Sequence, residues 1–251
     1  MFELLILKPF FNLLIGLYNV LPGQDIGLAI ILMTVVVKAV LWPFMTLQIK
    51  QQRALQAIQP KIEEIRSRLK DDKEAQGREL MALYAREKVN PASSCLPLLI
   101  QIPIFIGLYQ ALSRGLGAID GSLLYGFVQN PGVIQTQFLG LVELTRPNVL
   151  LAIVAGLIQF VQGRQMLKST PKAVAQPPKE VADTQGAQDE SMAAIMNKQM
   201  MYMMPILTVV IGIKLPAGLT LYWLVMSLLS VVQQWWIMRT LPPKMTQQLP
   251  G

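Results

Sequence analysis

The chain has 251 residues, of which 53% are hydrophobic and only 15% are charged, a balance too apolar for a soluble domain of this length. It contains no histidine and a single cysteine, which excludes a disulfide framework, the Ser/His and Cys/His catalytic pairs and most transition-metal sites. The net charge of +7 is compatible with nucleic acid or with anionic lipid, and only the positions of the charges can decide between them.

The N-terminal segment, residues 1–24, is apolar but interrupted by polar residues. The apolar residues after Pro9 recur at helical spacing: Leu13, Leu14, Leu17 and Val20. This pattern predicts a helix that lies in the extracytoplasmic membrane interface and does not span the bilayer. Met1 is followed by neither a basic stretch nor a small-residue cleavage site, so we expect no cleavable presequence.

Five apolar runs predict membrane-spanning helices, because about 20 helical residues cross the roughly 30 Å hydrocarbon core of a bilayer. The predicted spans are residues 25–47, 94–114, 147–165, 198–214 and 217–239. The expected fold class is therefore an all-α membrane protein with five transmembrane helices and an N-terminal interfacial amphipathic helix.

Basic residues collect in alternate connections between these spans. Residues 50–88 contain ten Lys or Arg, residues 164–198 contain five, and the tail 240–251 follows the last span. By the positive-inside rule these segments face the cytoplasm, which places the C-terminus inside and the N-terminus outside. Because membrane topology accounts for the positive charge, we expect the lipid bilayer as a partner and no nucleic-acid specificity.

The connection 48–90 contains an apolar seam. Its residues recur at steps of three and four, as on a helix that packs against another helix: Leu55, Ile58, Ile62, Ile65 and Leu69. A turn at 70–72 and a second helix at 74–88 complete a predicted cytoplasmic helical hairpin, in which Pro60 either kinks the first arm or begins a new helix. The alternative, a solvated spacer, would need no apolar seam.

The two remaining connections differ in character. Residues 166–197 are rich in Pro, Ala, Gln and charged residues, which predicts a flexible cytoplasmic loop. Residues 115–146 are moderately hydrophobic and lie on the extracytoplasmic side, and their sequence indicates no particular chemistry.

Lys38 is the most informative residue, because it lies twelve residues into the first span. A lysine at such depth is unfavourable by roughly 2.5 to 3.5 kcal/mol, so it should face a polar or watery cavity. The alternative is that its aliphatic stem lets the amine snorkel to the interface. Polar residues in all five spans suggest a shared polar interior, and the later spans contain no acid: Thr34, Gln101, Gln110, Gln159, Gln162, Thr208, Thr220, Tyr222, Ser227 and Ser230.

Four stretches resemble the YidC/Oxa/Alb family of membrane protein insertases. They are GLAIILMTVVVKAVLWPFM at 27–45, LQAIQPKIEEI at 55–65, NPASSCLPLLIQIPIFIGLYQAL at 90–112 and PAGLTLYWLVMSLLSVVQQWW at 216–236. The resemblance covers nearly the whole chain and implies a groove that opens to the cytoplasm and the lipid, is closed toward the outside and has a positive residue on its floor.

The resemblance puts the positive residue, Lys38, on the floor of the groove and places Thr34, Tyr222, Trp223 and, by approximate alignment in preference to Gln162, Gln159 toward it. Together with Gln101, a polar residue of the second span, these are the predicted substrate-binding residues. The family typically has arginine where this chain has Lys38, so the charge is kept while the bidentate guanidinium is not. A step that strictly requires arginine is therefore in doubt, whereas simple electrostatic attraction is not.

The function implied by the resemblance is insertion and folding of nascent membrane proteins in the bacterial plasma membrane, without enzymatic catalysis or a cofactor. The ribosome and the Sec translocon are the implied partners. A second hypothesis is a small transporter or proton-conducting subunit in which Lys38 is a relay, which would need a partner acid in the membrane. An intramembrane enzyme is a third, weakened by the missing histidine.

Overall fold

The computed structural model describes residues 3–90, 96–115, 121–168 and 202–240, and these residues are mostly helical. A π-helical turn, Glu3–Leu7, opens the chain. The described helices are α1 (Lys8–Val20), α2 (Ile26–Ala57), α3 (Gln59–Arg68), α4 (Lys73–Arg86), α5 (Leu96–Gly115), α6 (Val149–Lys168), α7 (Tyr202–Gly212) and α8 (Ala217–Thr240). Most of the predicted flexible loop 166–197 and the tail 241–251 lie outside the described residues.

Two of the described helices are long and apolar enough to cross a membrane. They are Ile26–Leu55, within α2, and Ala217–Thr240, which is α8. Three shorter apolar helices occur at Ile100–Leu112, Val149–Gln165 and Tyr202–Gly212. The described part of the chain is therefore all-α, with two helices that could cross a membrane, apart from one small hairpin of strands.

Helix α2 continues well beyond the predicted end of the first span. It runs for 32 residues to Ala57, passing through Pro43, whose missing N–H removes one hydrogen bond from the interior of the helix. The next helix, α3, starts at Gln59 and has Pro60 in its first turn, where the missing N–H would have no partner in any case. Of the two roles considered for Pro60, the start of a new helix is the one observed.

The chain divides into two compact units, one of residues 1–42, 97–162 and 204–231 and the other of the remaining residues. In the second unit, α3 and α4 pack around a small apolar cluster: Ala54, Ile58, Ile62, Leu83 and Val89. Lys61 Nζ lies 2.6 Å from Glu87 Oε1, and Arg68 pairs with Glu79. The Asp72 carboxylate accepts from the N–H of Ala75 and thereby caps α4.

In the first unit, α1 contributes one face to the main apolar core. Its buried residues recur at helical spacing and are Phe11, Asn12, Leu14, Ile15 and Tyr18. Helices α6 and α7 approach closely in the same unit, because Gly156 faces Val209 and Gly212 faces Ala152 without intervening side-chain atoms. A methyl group on either glycine would lie under 3.0 Å from its neighbour.

The segment from Gly121 to the start of α6 has a defined structure, although its sequence indicated no particular role. It contains a short 3₁₀ turn, Gly121–Leu123, and an antiparallel pair of strands, β1 (Gln137–Phe138) and β2 (Val142–Glu143). Hydrogen bonds from Thr145 and Thr136 hold the pKa of Glu143 below its usual value.

Side chains of α1 hold this segment in place. Asn12 Nδ2 donates to the carbonyl of Leu123 at 2.8 Å, and its Oδ1 accepts from the N–H of Tyr125 at 2.7 Å. The Tyr18 hydroxyl oxygen accepts from the N–H of Gln135 at 3.0 Å. A buried amide that satisfies two backbone groups fixes the segment in one position on α1.

The same segment also meets the first turn of α8. The N–H of Ala217 donates to the carbonyl of Arg146 at 2.9 Å, and the N–H of Gly218 donates to that of Leu144 at 3.0 Å. The first N–H groups of a helix have no partner within the helix. The backbone of the segment therefore supplies the acceptors that the N-terminus of α8 requires.

Candidate functional site

Lys38 lies on α2 with its side chain inside the first unit. It is 4% exposed, and its Nζ donates a hydrogen bond to Ser230 Oγ of α8 at 2.8 Å. Ser230 Oγ donates in turn to the carbonyl of Met226 at 2.8 Å. The amine is thus held between two helices by a hydroxyl whose own proton is already engaged.

The charge environment of Lys38 is unusual, because a buried ammonium is ordinarily paired with a carboxylate. Helices α2, α5, α6, α7 and α8 contain no Asp or Glu, and within the described ranges no carboxylate forms an ion pair with Lys38. An ammonium group has three donors, and Ser230 takes one of them. Within the described part of the chain, the Lys38 amine is therefore bound by a hydroxyl where a carboxylate would be usual.

Thr34 lies one turn before Lys38 on the same face of α2. It is fully buried, and its hydroxyl donates to the carbonyl of Ile30 at 2.6 Å. A threonine that bonds to the turn preceding it presents its methyl group and its oxygen lone pairs to the surroundings. Thr34 is therefore a buried neighbour of Lys38 along the helix, and its own proton is used within α2.

A second pair of polar residues, both of them predicted site residues, joins α5 and α8. Gln101 Nε2 donates to the hydroxyl oxygen of Tyr222 at 3.0 Å. Next to it on α8, the indole of Trp223 meets the ring of Phe105 edge to face, with centroids 6.1 Å apart, a favourable geometry for aromatic rings. Both contacts fix the rotation of α8 relative to α5.

The third pair joins α6 and α7. The Thr208 hydroxyl donates to Oε1 of Gln159 and lies 3.0 Å from the carbonyl of Met204. Thr208 is buried, and it lies where the glycine contacts bring the two helices close. Interhelical hydrogen bonds between small or polar residues are typical of helix packing in a membrane.

The six predicted site residues are therefore distributed over separate contacts. Lys38 contacts Ser230, Gln101 contacts Tyr222, and Gln159 contacts Thr208. Two of these partners, Ser230 and Tyr222, are eight residues apart on α8 and so lie near the same face. Within the described ranges, α8 thus carries the hydrogen-bond partners of both Lys38 and Gln101.

Sequence reasoning did not select Ser230 or Thr208 as site residues, although both are among the polar residues of the spans. One signal was available for Ser230, because Tyr222, Met226 and Ser230 recur every four residues and so form one stripe on α8. No comparable stripe on its own helix identifies Thr208. Its partner, Gln159, lies 49 residues earlier in the chain.

Comparison with known proteins identifies the family. The family described as "60Kd inner membrane protein" matches residues 14–244. The protein named "Membrane protein insertase YidC" of Histophilus somni (strain 2336) is 34% identical over 239 residues, which cover 95% of this chain and 38% of that protein.

Two further relatives carry the same name. That of Actinobacillus pleuropneumoniae serotype 3 (strain JL03) is 32% identical, and this chain again covers 38% of its length. That of Fusobacterium nucleatum subsp. nucleatum is 30% identical over 234 residues, and 96% of it is covered. The chain thus spans under half of the longer relatives and nearly all of the Fusobacterium protein.

The match extends through both long apolar helices and through every helix that carries a predicted site residue. The family is one of bacterial inner-membrane proteins, with which the two apolar helices agree. The chain belongs to the YidC/Oxa/Alb family.

Proposed function

We propose that this protein is an insertase and chaperone that places nascent membrane proteins into the bacterial plasma membrane. The relatives' shared name, "Membrane protein insertase YidC", supports this role. The observation that carries it is Lys38, a buried lysine held by one hydroxyl on helices that contain no acid. Such a charge can attract an acidic or polar segment of a passing polypeptide.

The proposed topology has five spans, with α1 in the outer interface, the N-terminus outside and the C-terminus in the cytoplasm. Helices α5 and α6 contain 20 residues each, about 30 Å of helix and enough to cross the hydrocarbon core. The ten basic residues between 50 and 88 favour a cytoplasmic location for α3 and α4. There the two helices form the hairpin that receives the incoming chain.

In the proposed mechanism the substrate enters a hydrophilic groove that opens to the cytoplasm. Its apolar segment slides along the spans 147–165 and 217–239, while its short polar tail reaches Lys38. A carboxylate of the tail exchanges for Ser230 as the partner of the ammonium, and no covalent bond is made. The groove residues Thr34, Gln101, Gln159, Tyr222 and Trp223 offer the passing backbone donors, acceptors and aromatic surface.

The driving force is the partition of the apolar segment into lipid. Removing apolar area from water stabilises the inserted state by about 25 cal/mol per Å², so a segment of about 20 residues, the length that spans a bilayer, needs no nucleotide hydrolysis to move forward. The groove lowers the barrier, because the polar tail crosses a shorter stretch of low-dielectric material than it would in the intact bilayer. The ribosome and the Sec translocon are the proposed partners that supply the chain.

A proton relay through Lys38 receives no comparable support. It would require an acid within the membrane, and helices α2, α5, α6, α7 and α8 contain none within their described bounds. We therefore retain the insertase as the proposed function.

The test is complementation of a bacterial strain depleted of its own insertase, with Lys38 kept or replaced by Arg, Gln or Leu. We expect insertion in the order Lys ≈ Arg > Gln > Leu. At 4 Å an ion pair gains about 4 kcal/mol at an effective dielectric constant of about 20, and each 1.4 kcal/mol is roughly tenfold, so the charge-free variants should insert acidic-tailed clients at roughly a tenth of the rate or less.

The matched control is a client whose translocated tail has its acidic residues replaced by Ser or Gln. Its insertion should depend much less on residue 38, because attraction to the ammonium is then small. Full activity of Lys38→Leu with acidic-tailed clients would defeat the charge role. Failure of the unaltered protein to support any client would defeat the insertase function itself.

A further inference from the structure

The turn between β1 and β2 carries two exposed leucines beside the start of a membrane-crossing helix. The N–H of Leu141 donates to the carbonyl of Phe138 at 3.0 Å, and the two central residues, Leu139 and Gly140, have φ of 52° and 69°. Phe138 pairs with Val142, so three residues, 139–141, connect the strands, and positive φ at the first two of them is a conformation that Gly, Asn and Asp adopt most readily. Here a leucine occupies the position that Asn or Asp would adopt with less strain.

Both leucine side chains point away from the protein. Leu139 is 60% exposed and Leu141 is 85% exposed. A turn that met only water would be expected to carry polar residues. Two large aliphatic side chains at its tip are instead typical of a surface that contacts something apolar.

The hairpin is attached to the first turn of α2. Asp25 Oδ2 accepts from the N–H of Leu139 at 2.6 Å, and Asp25 Oδ1 accepts from the N–H of Leu28 at 3.0 Å. The Phe138 ring packs directly on Gly27, where a Cβ atom would lie 2.2 Å from the ring. Since the apolar part of α2 begins at Ile26, the hairpin is attached at the first residues of this apolar helix.

The exposed side chains in the early turns of α2 are aliphatic as well. They are Leu32, Val35 and Val36, and in a membrane-crossing helix such residues contact lipid. The tip is therefore attached to a helix whose own exposed side chains share its aliphatic chemistry.

We propose that the β1–β2 turn is a membrane anchor, with the side chains of Leu139 and Leu141 inserted into the headgroup and upper acyl region of the adjacent lipid leaflet. The anchor would fix the depth of the first turn of α2 in the bilayer, as interfacial residues do at the ends of spanning helices. It requires only that α2 crosses the membrane, and it is independent of the insertase role and of which terminus faces outside.

The experiment uses the full-length protein in vesicles of phosphatidylethanolamine and phosphatidylglycerol. The native cysteine is replaced by Cys95→Ser, and Leu141→Cys carries an environment-sensitive fluorophore. The matched control is Gln135→Cys, an exposed polar position in the same segment whose backbone is fixed by Tyr18. Quenching is measured with spin-labelled lipid, whose quencher lies just below the headgroups, and with aqueous iodide.

We expect lipid quenching several-fold stronger, and iodide quenching several-fold weaker, at position 141 than at position 135. Leu139→Cys is a second labelled site, at which the same difference should appear, and it replaces position 141 if that variant does not fold. Equal quenching at the tip and the control position would overturn the proposal. Protection that appears only as the protein-to-lipid ratio rises would also overturn it, because the tip would then contact a second copy of the chain.

Discussion

The side chain of Asn12 makes two hydrogen bonds to the backbone of the segment 121–146. It is 5% exposed and hydrogen-bonds Leu123 and Tyr125 of that segment. In Asn12→Ala the carbonyl of Leu123 loses its partner in a buried place and the N–H of Tyr125 in a partly buried one, and a group left unsatisfied away from water costs about 1–3 kcal/mol. We expect a clear fall in the apparent melting temperature of the detergent-solubilised protein, measured by the loss of its monodisperse chromatographic peak on heating.

Asn19→Ala is the matched control for that prediction. Asn19 lies on the same helix and makes one bond of the same type, to the carbonyl of Gln129 at 2.7 Å, but this bond is exposed to solvent. Because water can replace an exposed hydrogen-bond partner, the free energy of unfolding should change by no more than about 0.5 kcal/mol. Equal losses for the two variants would show that burial of Asn12 is not what makes its bonds important.

At the scale of residues, the sequence predicted which side chains are important better than it predicted their hydrogen-bond partners. The depth and charge of Lys38 followed from its position in an apolar run, but its partner Ser230 is 192 residues away and depends on how α8 is rotated about its axis. Asn12 was interpreted only as a polar interruption of an interfacial helix, since the backbone groups it satisfies lie 111 and 113 residues later. Local periodicity contains no information on such contacts.

At the scale of elements, the packing of the β1–β2 hairpin on α2 depends on the absence of a side chain at Gly27. A Cβ atom there would lie 2.2 Å from Phe138 Cδ2 and 2.7 Å from its Cβ, so rotation of the ring alone cannot relieve the overlap. We expect Gly27→Ala to destabilise the protein by about 1–3 kcal/mol, as overpacking of a core does. The measurement is the apparent melting temperature in detergent.

Gly16→Ala is the control, because Gly16 lies inside α1 and an added methyl group there would meet nothing within 4 Å. Alanine favours a helix interior by up to about 1 kcal/mol over glycine, so this variant should be neutral or slightly more stable. The double variant Gly27→Ala/Phe138→Ala removes the overlap with the ring and keeps only the 2.7 Å approach to Cβ of residue 138, so it should regain part of the loss. A Gly27→Ala protein as stable as the original would contradict the close approach of hairpin and helix.

The elements themselves were predicted unevenly. Apolar runs located the two long apolar helices and the three shorter ones, but not the continuation of α2 to Ala57, because the apolar run that defined the predicted span 25–47 ends there and the residues that follow are mostly polar. The two-residue strands escaped prediction, since so short a pair has no measurable alternation. Leu139 in a turn favoured by Asn is another position where tertiary context overrides local preference.

At the scale of the whole molecule, the number of spans decides which segments share a side of the membrane. If only the two long helices, Ile26–Leu55 and Ala217–Thr240, crossed the bilayer, all residues between them would lie on one side and both termini on the other. Five spans separate the α3–α4 turn from the segment 121–146 and place the termini on opposite sides. The positive charges favour the second arrangement, because ten of them lie between residues 50 and 88 and only one, Arg146, lies between residues 115 and 146.

Cysteine labelling in whole cells distinguishes the two arrangements. In a Cys95→Ser background, Gln135→Cys and Asp71→Cys are both exposed positions on connections between helices, so their labelling reports location and not burial. A membrane-impermeant maleimide should label Gln135→Cys in intact cells and Asp71→Cys only after the membrane is permeabilised. Labelling of both positions in intact cells, or of neither, would mean that α5 does not cross the bilayer, and the groove proposed around Lys38 would then lose one of its walls.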